Sequence, residues 1–212
     1  MNFKSREYNI RTIFVDPDDE YSNREAVFDE VMDDNHPLIA FKAPRRFGKT
    51  TFCAYAARNS QYRNILFYTK FKADKKNFVN KLLDGFDIYQ NNDVSTKLIG
   101  DDNVINCICG DRNVTEEYFF EDFDMVIIDD ADIADPWVIS AAINNIPHVY
   151  LVGSDEVMTT IKLQKSTWDM AFNSPAFHSY QVLPADKIKR KDIDDEAIIS
   201  FANLFTKPVF AY

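Results

Sequence analysis

Apolar residues in this chain fall into two patterns. Short apolar runs have the length of strands: LIAFK at 38–42 and NILFYT at 64–69 read as buried strands, the first on both faces, and VINCIC at 104–109, FDMVII at 123–128 and HVYLVG at 148–153 as further strands. Between them lie stretches with helical spacing. Val27, Phe28 and Val31 share one face of a helix over Arg24–Met32, which Ser22 or Asn23 can cap. TTFCAYAARN continues a helix that begins at Lys49, and Asp74–Leu83 reads as a helix capped by Asp74 and closed by Gly85. Pro136 opens a helix that runs to Asn144, and another covers Ser166–Phe172. The breaker cluster Asp33-Asp34-Asn35-His36-Pro37 separates the first helix from the first apolar run. Residues 87–122 carry no clear period outside VINCIC. A short strand at Tyr180–Leu183, a charged connector and a helix around Asp194–Leu204 complete the pattern.

Strands alternating with helices predict an α/β fold: a mainly parallel central sheet with helices on both faces. The expected organisation is an extended or irregular lead-in over 1–22, ending in an acidic turn, and one domain over 23–185. A charged connector and helix over 186–212 then pack on that domain or extend it. Sheets of this kind bind ligands beyond the carboxyl ends of their strands. The loops after residues 42, 128 and 152 all leave predicted strands at that end.

The loop after residue 42 brings in chemistry. APRRFGKTT at 43–51 matches the end of G-x-x-x-x-G-K-[ST], with Ala43 where the first glycine belongs. Ala43 can stand there only if its φ stays negative. A bare Gly-Lys-Thr can be a solvated basic helix start, but its place between a strand and a helix suits a phosphate loop. The expected nucleotide contacts are Ala43, Arg46, Phe47, Gly48, Lys49, Thr50 and Thr51, with Lys49 on the β- and γ-phosphates and Thr50 on Mg²⁺. MVIIDD at 125–130 is an apolar strand ending in acids, as in a Walker B segment. Asp129 is expected at the Mg²⁺ ion. Asp130 orients or deprotonates the attacking water, one methylene shorter than the usual Glu, which implies slow hydrolysis or a differently placed water. Arg45 and Arg46 either stabilise the transition state or pair with acids such as Asp129 or Asp155. In LVGSD at 151–155, Ser154 either senses the γ-phosphate or belongs to a plain turn. The implied cofactors are ATP and Mg²⁺.

Composition limits the remaining classes. With 46% hydrophobic and 14% aromatic residues in 212, the chain can bury a large core. Cys53, Cys107 and Cys109 read as reduced thiols of an intracellular protein, since the Cys107/Cys109 spacing suits neither C-x-x-C chemistry nor a zinc knuckle. No apolar run approaches membrane-spanning length and MNFKSREYNI has no signal-peptide core, so no membrane partner is expected. A formal charge of −10 opposes coating by nucleic acid over the whole surface. Local contact stays open, because acids gather at Asp16–Glu20, Asp129–Asp130 and Asp192–Glu196 and bases elsewhere. Lys70, Lys72, Lys75 and Lys76, or the run from Lys187 to Lys191, are the candidates to meet DNA phosphates. His36, His148 and His178 are assigned to no metal, and Trp137 and Trp168 to packing.

In order and spacing, PRRFGKTTF, ILFYTKFKADKKNF, MVIIDDADIADPWVI and VYLVGSDE resemble the ATPase region of viral large terminase subunits of the herpesvirus and tailed-phage type. The likeness covers about residues 24 to 175. It implies a RecA/terminase-like P-loop NTPase fold and an ATP-driven motor that translocates double-stranded DNA into a capsid. In that family the phosphate loop commonly carries Arg and often lacks its first glycine. By position, Arg45 matches the arginine that acts on the γ-phosphate, Lys49 and Thr50 the phosphate and Mg²⁺ contacts, Asp129 the metal-linked acid and Gly153-Ser154 the coupling motif. Asp130 departs from the family's Glu. The adenine-contacting Gln expected before the first strand is absent; Asn23 and Arg24 are the nearest polar residues. Implied partners are double-stranded DNA, portal and small terminase-type subunits, and a ring of copies built from a chain that can be monomeric alone, in host cytoplasm or nucleus. The sequence stops at Tyr212, about where the ATPase region should end, so no nuclease domain is expected in this chain. It would then be an excised domain, an ATPase with a separate nuclease, or a motor needing none. Competing readings are the core of a superfamily-one or -two helicase, a nucleotide-dependent regulatory switch with weak hydrolysis, and a basic turn in an unrelated α/β protein.

Overall fold

Each apolar run is split residue by residue between two cores. In LIAFK, Ile39 and Phe41 enter one core and Ala40 the other; in NILFYT, Ile65 and Phe67 oppose Leu66 and Tyr68; in MVII, Met125 and Ile127 oppose Val126 and Ile128. This alternation is the period of a strand with both faces covered, and it explains why apolar residues stand at successive positions in these runs. The structure, a computed structural model, describes residues 10–15, 22–44, 46–154 and 166–184. Arg45, Asp155, the acidic turn at Asp16–Glu20, the Lys187–Lys191 run and the helix expected at 194–204 lie outside those residues, as do the side chains of Ser22 and Asn23.

Among the described residues, β1 (Ile10–Val15), β2 (Leu38–Lys42), β3 (Asn64–Thr69), β4 (Asp87–Asn91), β5 (Ser95–Ile99), β6 (Val104–Cys109), β7 (Met125–Ile128), β8 (His148–Gly153) and β9 (His178–Pro184) form one sheet. Its order is β1-β9-β2-β8-β7-β3-β6-β5-β4. Neighbours from β1 to β6 pair parallel, while β5 and β4 add antiparallel. Three helices supply the first core: α1 (Ser22–Met32) with Phe28, α2 (Lys49–Asn59) with Phe52, and α3 (Lys72–Leu82) with Phe78. Across the sheet lies a short α4 (Arg112–Thr115) that runs into a 3-10 turn at Glu116–Phe120. Beside it are α5 (Pro136–Asn145) and α6 (Thr167–Phe172), and the second core takes Phe119, Val138 and Trp168 from these elements. The expected parallel sheet with helices on both faces is thus present. No helix among the described residues is long and apolar enough to cross a membrane.

Three local expectations are corrected. Residues 10–15, set apart as lead-in, form an edge strand in register with β9 from Ile10↔Ser179 to Val15↔Pro184. Only Val15 in it is fully buried, so its pattern is weak and its partner lies at the far end of the chain. The helix expected from Asp74 starts at Lys72. Phe71 holds the cap position without a side-chain bond, and Asp74 falls in the first turn, where the helix dipole favours an acid. Residues 87–99, without a clear period, form the β4–β5 hairpin, and all five residues of β4 are exposed. Cys53, Cys107 and Cys109 are buried free thiols.

The histidines, scattered in sequence, gather at the amino ends of three neighbouring strands. His36 precedes β2, while His148 and His178 begin β8 and β9. The His36 and His178 rings stack at 3.8 Å. Asp34 accepts from His178 Nδ1 at 2.8 Å, from the Tyr180 hydroxyl at 2.7 Å and from the His36 N–H at 2.9 Å. Burial alone would raise the Asp34 carboxyl, but these three donors hold it below its ordinary 3.8. Asp34→Ala is therefore expected to cost about 2 kcal/mol at neutral pH, the worth of a multiply bonded carboxylate. A depressed acid contributes fully above its unfolded pKa. The gap between wild type and variant should hold at pH 7 and close as pH falls below 3.8, which urea melts at several pH values would measure.

Candidate nucleotide-binding site

The phosphate loop leaves β2 at the carboxyl edge of the sheet. Ala43 is fully buried and donates its N–H to the Gly153 carbonyl at 3.1 Å, tying the loop to β8. Its φ is not positive, which is the condition a residue with a Cβ must meet there. A turn follows, closed by the Phe47 N–H on the Pro44 carbonyl at 3.3 Å, and the Phe47 ring is buried between Phe28 and Phe41. Phe47 thus anchors the loop from the core side, while the Arg46 side chain is exposed. Gly48 caps α2 at φ 99°, a left-handed conformation suited to glycine, and no side chain caps the helix. The N–H groups at the start of α2 therefore lack intrahelical partners, which favours an anion.

Parity brings the second segment to this loop. Asp129 continues the series Met125, Ile127 and so emerges on the α2 face of the sheet. There the Thr50 hydroxyl donates to Asp129 Oδ2 at 2.8 Å across 79 residues of sequence. The other oxygen, Oδ1, accepts the Asp130 N–H at 3.0 Å. Burial raises the Asp129 carboxyl, opposed by the Thr50 hydroxyl, the Asp130 N–H and the Lys49 charge. Burial pushes Asp130 up to about 7, with Asp129, Asp74 and Asp132 adding to it and Lys49 opposing. A divalent cation at the pair would reverse both shifts. Thr50 and Asp129 present hard oxygens and few of them, which fits Mg²⁺, an ion that takes its remaining ligands from phosphates and water.

The loop after Asp129 is fixed to its neighbour. Asp130 is left-handed at φ 53°, and its carbonyl accepts from the N–H groups of Ile133 and Ala134. Arg46, at φ 67°, is the other non-glycine residue with positive φ among those described, so both such residues lie in this site. Backbone conformations of this cost are retained mostly where function demands them. Ala131 donates to the Val152 carbonyl at 2.9 Å, and Asp132 Oδ1 accepts the Ser154 N–H at 3.1 Å. A Cβ on Gly153 would lie 2.9 Å from Trp168 Cε2 and Cζ2 and 3.2 Å from Asp132 Oδ1.

Lys49, Thr50, Asp129 and Asp130 therefore converge, and Ser154 follows β8, which lies between the strands that carry the phosphate loop and the acid pair, with its N–H tied to the acidic loop through Asp132. Sequence reasoning missed Asp132, whose signal was a third acid in MVIIDDAD, and Asp74, whose charge reaches both carboxylates from α3. Lys75 is not available for DNA: it is buried, and its Nζ donates to the Asn92 carbonyl at 2.8 Å. Lys72 pairs with Asp93 at 2.8 Å, and Lys70 Nζ lies 3.5 Å from the Ile133 carbonyl.

The sequence matches no protein-family model and no curated protein. Solved structures do resemble the fold. The large terminase ATPase domain of Thermus phage P74-26 aligns over 92% of this chain and 95% of that domain, at 9% identity and a TM-score of 0.50. The fold is similar to that of a large terminase ATPase domain. The whole large terminase of another thermophilic bacteriophage aligns over 83% of this chain at 10% identity and a TM-score of 0.46, and this chain spans 47% of its length. The helicase domain of Hef from Pyrococcus furiosus aligns over 76% of this chain and 37% of that one, at 9% identity and a TM-score of 0.48. In this terminase-like fold, the converging residues sit where the sheet presents its carboxyl edge.

Proposed function

We propose that this chain is a Mg²⁺-dependent ATPase, the motor domain of a terminase-type machine that drives double-stranded DNA into a capsid. One observation carries the ATPase reading: the 2.8 Å bond between Thr50 and Asp129, which joins the helix after the phosphate loop to the acid-ended strand. In this mechanism Lys49 and the first-turn N–H groups of α2 bind and orient the phosphates. Thr50 and Asp129 would hold Mg²⁺, which neutralises charge developing on the phosphoryl oxygens. Asp130 orients the attacking water and takes its proton as the bond to the terminal phosphorus forms and the bond to the leaving diphosphate breaks. Asp132 and Ser154 join the acidic loop to the end of β8, a route by which loss of the terminal phosphate reaches the rest of the sheet. Arg45 keeps its proposed role on the γ-phosphate from the family resemblance.

DNA, portal and small terminase-type subunits, a separate nuclease and a ring of copies are proposed partners on the same ground, in an infected host's cytoplasm or nucleus. A second reading, a nucleotide-dependent switch with weak hydrolysis, draws on the short arm of Asp130 and its left-handed backbone. Phosphate release measured with Mg²⁺, with and without duplex DNA, decides between them. Wild type is expected to turn over, faster with DNA, and Lys49→Ala to lose both binding and turnover. Binding without turnover under either condition selects the switch; triphosphate binding untouched by Lys49→Ala removes the site assignment.

A further inference from the structure

Arg24 lies in the first turns of α1, yet its guanidinium reaches three consecutive residues of the phosphate loop. Nη2 donates to the Arg46 carbonyl at 3.3 Å. The guanidinium carbon lies 5.8 Å from the centre of the Phe47 ring. Nη1 is 3.7 Å from the place a Cβ on Gly48 would occupy. These residues immediately precede Lys49, and two of them, Arg46 and Gly48, hold left-handed backbone at φ 67° and 99°. For Arg46 that conformation is unfavourable by itself, so neighbouring contacts must hold it. The Phe47 ring is fixed in the core, and Arg24 Nη2 donates to the carbonyl just before it.

We infer that Arg24 is a positioning residue for the nucleotide's phosphates, latching α1 onto the loop and holding residues 46–48 in the shape that presents the α2 N-terminus. This deepens the nucleotide-binding proposal and rests on it. It also moves Arg24 away from the base: sequence position had made it, with Asn23, one of the nearest polar residues to where an adenine contact is expected, whereas the contacts described above are to the phosphate loop. A latch on the loop acts on every triphosphate alike, and an adenine contact acts on ATP alone.

The test measures affinity for ATP, GTP and inorganic tripolyphosphate with Mg²⁺ by calorimetry, alongside the ligand-free melting temperature, for wild type, Arg24→Gln, Arg24→Lys and Lys49→Ala. Arg24→Gln is expected to weaken all three ligands to the same extent, by roughly tenfold. Arg24→Lys keeps the charge but not the planar fork, and should recover less than half of that loss on a logarithmic scale. Tripolyphosphate affinity unchanged in Arg24→Gln, or a loss confined to ATP, overturns the latch. If Arg24→Gln does not fold, Arg24→Lys decides alone, and wild-type affinity in it overturns the inference. Lys49→Ala separates the two levels: wild-type binding in it defeats the site assignment, whereas lost binding there beside normal binding in Arg24→Gln defeats only the latch.

Discussion

Replacing Asp129 by asparagine should leave a folded protein that hydrolyses ATP at least about a hundredfold more slowly, a loss of the size expected when a metal-linked carboxylate is neutralised. The same change should raise ligand-free stability by about 1 kcal/mol, because it removes a buried charge beside a second carboxylate. Asp129 is 1% exposed; an asparagine amide can keep its oxygen on the Asp130 N–H and turn its NH2 to the Thr50 hydroxyl, which then accepts instead of donating. Activity and stability thus move in opposite directions, which a merely misfolded variant could not show. Single-turnover hydrolysis and thermal melts of the same preparation provide the two numbers. Near-normal turnover would remove Asp129 from the metal site, and a large fall in melting temperature would show that the carboxylate serves the fold instead.

Trp168→Ala is the second large effect, this time on the fold. Trp168 is 1% exposed in the second core, tilted against Phe172 at 5.5 Å, and its edge occupies the space that Gly153 leaves open. Truncation should cost about 3–5 kcal/mol, as for other large buried aromatics. That corresponds to a fall of roughly 10 °C in melting temperature for a domain of this size. Gly153→Ala alone should also destabilise, since its methyl group would sit 2.9 Å from the indole. In the Trp168→Ala background the added methyl meets no ring, so the double variant should be more stable than the sum of the singles predicts. Simple additivity in urea melts would show that glycine and indole do not compete for one space. The clash lies next to Asp132 Oδ1, so Gly153→Ala should slow turnover as well.

Much of this was legible in the linear chain because it depends on local rules. Apolar runs announced strands, that at 38–42 covered on both faces, and Gly48, Lys49 and Thr50 between a strand and a helix announced an anion site. The harder parts were those where the partner is remote. Residues 10–15 bury little of themselves and become a strand only beside β9. Lys75 looked like one of several surface bases, yet α3 turns it inward onto the Asn92 carbonyl of the β4–β5 hairpin. Asp132 carried no signal stronger than its neighbours, and it acquires a role only because β8 lies next to β7.

By itself the sequence determined which chemistry is on offer: a lysine and hydroxyl at the start of a helix, an acid pair at the end of an apolar strand, and a two-residue period that sends Asp129 to one face. Spacing along a single element settles such matters, since side-chain direction follows from backbone geometry alone. Which of these groups touch was decided by strand order and by the packing of α1 and α2 on the sheet, through contacts between distant parts of the chain. Thr50 meets Asp129, Arg24 grips Arg46 and Trp168 fills the gap at Gly153 for that reason.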